Sequence, residues 1–171
     1  MLLEEDDDEA ALVVDSLRRI VQGLRSSAHV AERELGLSGA QLFVLRELAS
    51  EPGISIRRLS DRTLTDPSSV SVVVARLVER GLVIRRTDPL DARRSVLSVS
   101  KKGSALLSRS REPFQARLIA ALRDMPRSRV RELGLTLSEI VGALDLAPGA
   151  APLFFEEGPS SKKRSPRSAR S

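Results

Sequence analysis

A mainly α-helical fold carrying one small β-hairpin is expected, and three features of the sequence lead to it. Apolar residues recur at three- and four-residue steps along most of the chain, the period of a helix with one buried face. That period breaks once, after Gly81, where two short β-branched runs flank a polar segment. Capping and stopping residues stand at the boundaries between these runs.

The elements follow in order. Met1 to Ala10 reads as an acidic tail, MLLEEDDDEA. From Ala11, residues Leu12, Val13, Leu17, Ile20, Val21, Leu24, Ala28 and Ala31 share one face of a long helix that Gly36 ends. Ser38 can cap a helix over Gly39 to Ser50, with Leu42, Leu45 and Leu48 inward and Phe43 or Val44 alongside. Pro52-Gly53 marks a turn, and a short helix spans Ile56 to Thr63 with Leu59 inward. Thr65 or Asp66 then caps a helix with Pro67 near its first position, running to Arg80 and stopped by Gly81. Its inner face is Val70, Val73 and Leu77. Leu82 to Thr87 and Ser95 to Ser100 read as strands joined by the loop Asp88 to Arg94. Two helical stretches follow, Lys102 to Arg123 and Arg127 to Leu146; Pro113 should interrupt the first, and Met125-Pro126 separates the two. Past Ala147 the chain turns to Pro, Gly and Ser and ends in KKRSPRSARS, a composition expected to be largely disordered. Leu153-Phe154-Phe155 is an apolar cluster within it, expected to dock on the long helices or a partner while Lys162 to Ser171 stays mobile.

Composition excludes several function classes. The 171 residues contain no Cys, which removes disulfides, thiolate metal sites and thiol redox sensing. His29 is the single histidine, a poor basis for imidazole metal sites or for nucleophilic triads. It is expected on the surface of the first long helix. No nucleophile–base pair or Gly-rich phosphate loop is visible, so no catalytic residue, metal or cofactor is expected, and the chain reads as a non-enzyme. No run of 18 apolar residues is present, and the start is acidic where a signal peptide would be basic; a cytoplasmic location without membrane contact is expected.

Charge is distributed unevenly. The chain carries a net +5, with six acids in Glu4 to Glu9 and five bases in the C-terminal tail. Between them the excess is confined to Ile54 to Gly103, where eleven bases face five acids. A local basic field of this kind suits a polyanion such as DNA.

Two features carry function. A short helix, a tight connection, a second helix and then a hairpin is the order of a winged helix-turn-helix. The second helix places Ser68, Ser69 and Ser71 near its start, with Val72 and Arg76 one turn on. Short side chains let a helix approach the major groove, where Ser bonds to base edges and Val touches a thymine methyl. At the hairpin tip, Asp91 precedes Arg93 and Arg94; an arginine on a wing can enter a narrow minor groove, with the carboxylate aiming it. The rival reading is a winged-helix module for protein contacts, whose basic tail binds nucleic acid non-specifically.

The stretch from Leu37 to Gly103 resembles the core of MarR-type transcriptional regulators. The resemblance lies in Leu-Ser-x-x-Gln at Leu37 to Gln41, Leu-Val-x-Arg-Gly-Leu-Val at Leu77 to Val83, Asp-Pro-x-Asp-x-Arg-Arg at Asp88 to Arg94, and Ser-x-x-Gly at Ser100 to Gly103 where Thr is usual. With the flanking helices it covers about Ala11 to Leu146. It implies a homodimer, usually a repressor of nearby genes, bound to pseudo-palindromic double-stranded DNA. Carried over by motif, Ser68, Ser69, Ser71, Val72 and Arg76 fall on the recognition helix, and Asp91, Arg93 and Arg94 on the wing. It divides the chain into an acidic tail (1–10), an N-terminal dimerisation helix (11–36), a DNA-binding domain (37–103), C-terminal dimerisation helices (104–147) and a basic extension (148–171). Many such regulators release DNA on binding a small phenolic or anionic effector. With no Tyr, no Trp and four Phe, aromatic stacking on a ligand is limited here, and the residues name no effector.

Overall fold

A computed structural model describes residues 2–88, 95–146 and 153–154, with side chains from residue 8 on. Its helices are α1 (Leu2–Leu35), α2 (Gly39–Ser50), α3 (Ile56–Thr63), α4 (Pro67–Glu79), α5 (Lys101–Leu107), α6 (Phe114–Asp124) and α7 (Arg127–Ala143). The strands β1 (Val83–Thr87) and β2 (Ser95–Val99) lie between α4 and α5. They pair antiparallel, Val83 opposite Val99 and Thr87 opposite Ser95.

Local chemistry places most boundaries where the sequence puts them. Ser38 caps α2 through a capping box: the Gln41 N–H donates to Ser38 Oγ at 3.2 Å, and the Ser38 N–H donates to Gln41 Oε1 at 3.2 Å. Gln41 Oε1 also accepts from Arg80 Nη1 at 3.0 Å, which ties the start of α2 to the end of α4. Gly81, at φ 69°, then turns the chain into β1. The Ser100 hydroxyl donates to the Gly81 carbonyl at 2.7 Å and accepts the Gly103 N–H at 3.0 Å. A Cβ on Gly103 would stand 2.4 Å from the Leu82 carbonyl oxygen, so this crossing admits only glycine.

Three elements differ from expectation. α1 starts at Leu2, so the acidic run is helical rather than a tail; carboxylates are favoured at a helix N-terminus by the macrodipole. The stretch from Lys102 to Arg123 is interrupted at Pro113 as expected, but the break is wider than one residue, because α5 stops at Leu107 and α6 begins only after Pro113. In the gap, the Ser108 and Ser110 hydroxyls donate to the carbonyls of Ala105 and Leu107, competing with helix bonds. Ile54 forms a one-residue bridge with Leu97, whose N–H donates to the Ile54 carbonyl at 2.9 Å. The turn at Pro52-Gly53 thus also fastens the hairpin to the helices.

The buried cluster is centred on α2, α4 and the hairpin. Phe43, Val44, Leu45, Leu48, Leu59, Leu77 and Leu97 have no solvent exposure. α1 and α6 border it through Ala31 and Ile119. α7 buries none of its residues.

Candidate nucleic-acid interface

α4 is anchored on one side and open on the other. Val70, Val73, Val74 and Leu77 are fully buried. Ser68, Val72 and Ala75 form the exposed stripe, Val72 at 46% exposure, flanked by half-buried Ser69, Ser71 and Arg76. The five recognition-helix candidates therefore lie along one outward side, as their spacing predicts. Val74, the third buried valine, does not stand out in the sequence because its position also fits the helix flank.

Asp66 is the N-cap of α4, its carboxylate accepting the Ser69 N–H at 3.0 Å and the Ser68 hydroxyl. These donors, Ser68 foremost, hold its carboxyl well below the usual carboxylate range. Two of the five candidates thus hold the cap as well as facing outward. A Ser68 hydroxyl committed to Asp66 presents lone pairs outward, as an acceptor. Before this cap the chain turns through Leu64, which is left-handed at φ 53° and 64% exposed.

The basic field is narrower than the sequence count. Arg62 pairs with Glu47 at 2.8 Å and with Glu51 at 3.1 Å, and Arg58 pairs with Glu51 at 3.1 Å. The Arg58 hydrogen bond is the main cause that lowers the Glu51 carboxyl. Arg57 on α3, Arg85 and Arg86 on β1, and Lys101 and Lys102 on α5 are exposed. Acids at the end of α2 and just after it, fifteen and eleven positions before Arg62, give no local signal of these pairings. Asp91, Arg93 and Arg94 lie outside the described residues. His29 is exposed on α1, as expected of a helix-surface histidine.

Residues 35–94 match the model of the MarR family. An uncharacterized HTH-type transcriptional regulator of Mycobacterium bovis is 30% identical over 138 residues, spanning 81% of this chain and 95% of that protein. The chain belongs to the MarR family. A transcriptional regulator from Mycobacterium tuberculosis is similar to the same degree and over the same extent. Among solved structures, BldR from Sulfolobus solfataricus shares the fold with TM-score 0.52 and 24% identity, over 80% of this chain and 96% of that one. As a MarR-family member the chain is a DNA-binding transcriptional regulator rather than an enzyme. The family motifs also acquire physical reasons. The Gln of Leu-Ser-x-x-Gln closes the capping box and receives the Arg of Arg-Gly-Leu, and the Ser of Ser-x-x-Gly locks the α5 cap onto the α4–β1 turn. Among the described residues, no group of His, Asp and Glu could hold a metal ion, and no helix is long and apolar enough to cross a membrane.

Proposed function

We propose that this MarR-family protein is a homodimeric repressor that reads a pseudo-palindromic operator in double-stranded DNA near its own gene. The observation that carries the reading is α4, held by four buried residues and open along Ser68, Val72 and Ala75, beside the exposed arginines of β1. In this reading α4 enters the major groove and the wing residues Asp91, Arg93 and Arg94 approach the minor groove. Dimerisation is supported by apolar faces left open among the described residues. Leu12, Val13, Leu17 and Val21 on α1 and Leu133, Leu137, Ile140 and Val141 on α7 are all exposed by more than a third. Two such faces packed isologously would set the recognition helices at half-sites about 34 Å apart. Repression is supported by MdtR of Bacillus subtilis, a named repressor 27% identical over 52% of this chain. A cleft of about 320 Å³ between α1, α2 and the start of α6 supports release by a small effector; Leu35, Leu42 and Phe114 give it apolar walls, and Arg111 and Arg117 stand at it.

Footprinting on the DNA upstream of the gene tests the reading. A protected palindrome with half-sites one turn apart is expected; uniform or absent protection would support the protein-contact module instead. Variants then separate the roles. Arg93→Ala should weaken binding to operator and random duplex alike and lower the salt slope by about one unit per chain. Ser71→Ala should leave that slope unchanged and alter preference at one base pair per half-site, by roughly 1 kcal/mol. Asp91→Ala should weaken operator binding if the carboxylate aims Arg93, and tighten it if the acid merely repels DNA.

A further inference from the structure

Two residues of the C-terminal extension, Leu153 and Phe154, lie against the body of the protein. Leu153, seven positions beyond Leu146, is 3% exposed and belongs to the same buried cluster as α2 and α4. Phe154, 49% exposed, lines a small depression with Leu24, Ser27 and Ala28 of α1, Gly39 of α2, and Pro113 and Gln115 at the start of α6. Leu24 is only 6% exposed, whereas Leu17 and Val21, on preceding turns of the same helix, are exposed at 40%. The contact therefore lies where the helix-turn-helix lobe, entered through Gly39, meets the frame formed by α1 and α6.

The seam is tightly built. The Phe114 N–H donates to Ser27 Oγ at 3.1 Å, and the Phe114 ring leaves no room for a Cβ on Gly23. Ser27 lines both the depression beside Phe154 and the 320 Å³ cleft, while Pro113 lines the depression and its neighbour Phe114 the cleft. The two cavities thus adjoin at Ser27, which accepts the Phe114 N–H. A shift of the first turn of α6 against α1 changes both at once.

We infer that Leu153 and Phe154 form a strap that pins the DNA-binding lobe to the helical frame and is coupled to the cleft behind it. Burial of one leucine offsets the ordering of only a few residues, so the strap sits near balance and can release. Its consequence for DNA rests on the dimeric reading above. A seated strap holds each lobe in one orientation, and the apparent operator affinity follows the fraction of molecules so held.

The test is Leu153→Asn in the full chain, which keeps net charge and the basic tail, with Leu153→Met as the apolar control. Hydrogen exchange reads the seam within a single chain. Amides in Leu24 to Ala31, Leu37 to Gln41 and Gln115 to Ile119 should exchange at least about tenfold faster in Leu153→Asn. They should be unchanged in Leu153→Met, and Val73 to Leu77 of α4 should stay protected in both, showing an intact fold. Operator affinity should fall several-fold in Leu153→Asn alone. Unchanged exchange at the seam overturns the strap; faster exchange with unchanged operator affinity overturns its coupling to DNA. If the parent protein protects no operator, the dimeric reading fails while the exchange data still judge the strap.

Discussion

Asp66 shows how one residue can serve both stability and the binding surface. Its carboxylate caps α4 and holds the Ser68 hydroxyl, so its folded-state pKa lies below the unfolded value. A carboxyl depressed in this way contributes stability that is fully present above the unfolded value, about 4, and is lost as pH falls through the folded one. Asp66→Ala is therefore expected to lower the urea midpoint at pH 7, with the gap to the parent closing as pH drops below about 4. An equal gap at pH 7 and pH 3 would show that the carboxylate is not the capping group. Leu64 makes the opposite contribution. A left-handed leucine costs backbone energy that glycine avoids, and its exposed side chain has little packing to lose. Leu64→Gly should stabilise the protein by about 0.5 kcal/mol or somewhat more, read by denaturant unfolding. Ser38 as a cap, and Thr65 or Asp66 as the two candidates for the next, were legible because a cap acts within three positions; the structure selects Asp66. Leu64 was not, since nothing in a leucine marks a left-handed turn.

At the scale of elements, α4 divides stability from recognition. Leu77 has no solvent exposure, and its truncation leaves a void facing α2 and the hairpin. Leu77→Ala should cost about 2–5 kcal/mol of unfolding free energy. Val72 is half exposed, and Val72→Ala should change stability by less than about 0.5 kcal/mol while altering operator preference. If both variants lose stability alike, the outward side of α4 is covered and cannot enter a groove. Periodicity made Val70, Val73 and Leu77 legible as inner residues. It could not reveal the Ile54–Leu97 bridge, which occupies a single residue and has no period. Nor could it show that Arg58 and Arg62 are engaged by Glu47 and Glu51, since those partners come from the end of α2 and the residue after it.

For the whole molecule, the exposed apolar faces of α1 and α7 are where the proposed dimer would gain its stability. α7 has no buried residue, so its leucines gain little from folding of one chain. Thermal stability should consequently rise with protein concentration, because association stabilises the folded state by mass action. Sedimentation equilibrium alongside calorimetry at several concentrations checks this. A folded monomer at micromolar concentration with an invariant transition temperature would overturn the dimer. Cleft and strap belong to the same scale, because both lie between α1, α2 and α6.

The sequence by itself determined the helical fold, the hairpin's place after Gly81, most element limits and the outward residues of α4. Those properties rest on apolar periods and caps, which act over one or two turns of chain. Tertiary structure alone decided which arginines are bound by acids, how the lobe meets the frame, and that Leu153, expected to dock on the long helices or a partner, seats in the cluster with α2 and α4 while α7 stays exposed. Each of these depends on groups brought together from distant parts of the chain, where burial and ion pairing follow packing rather than local order.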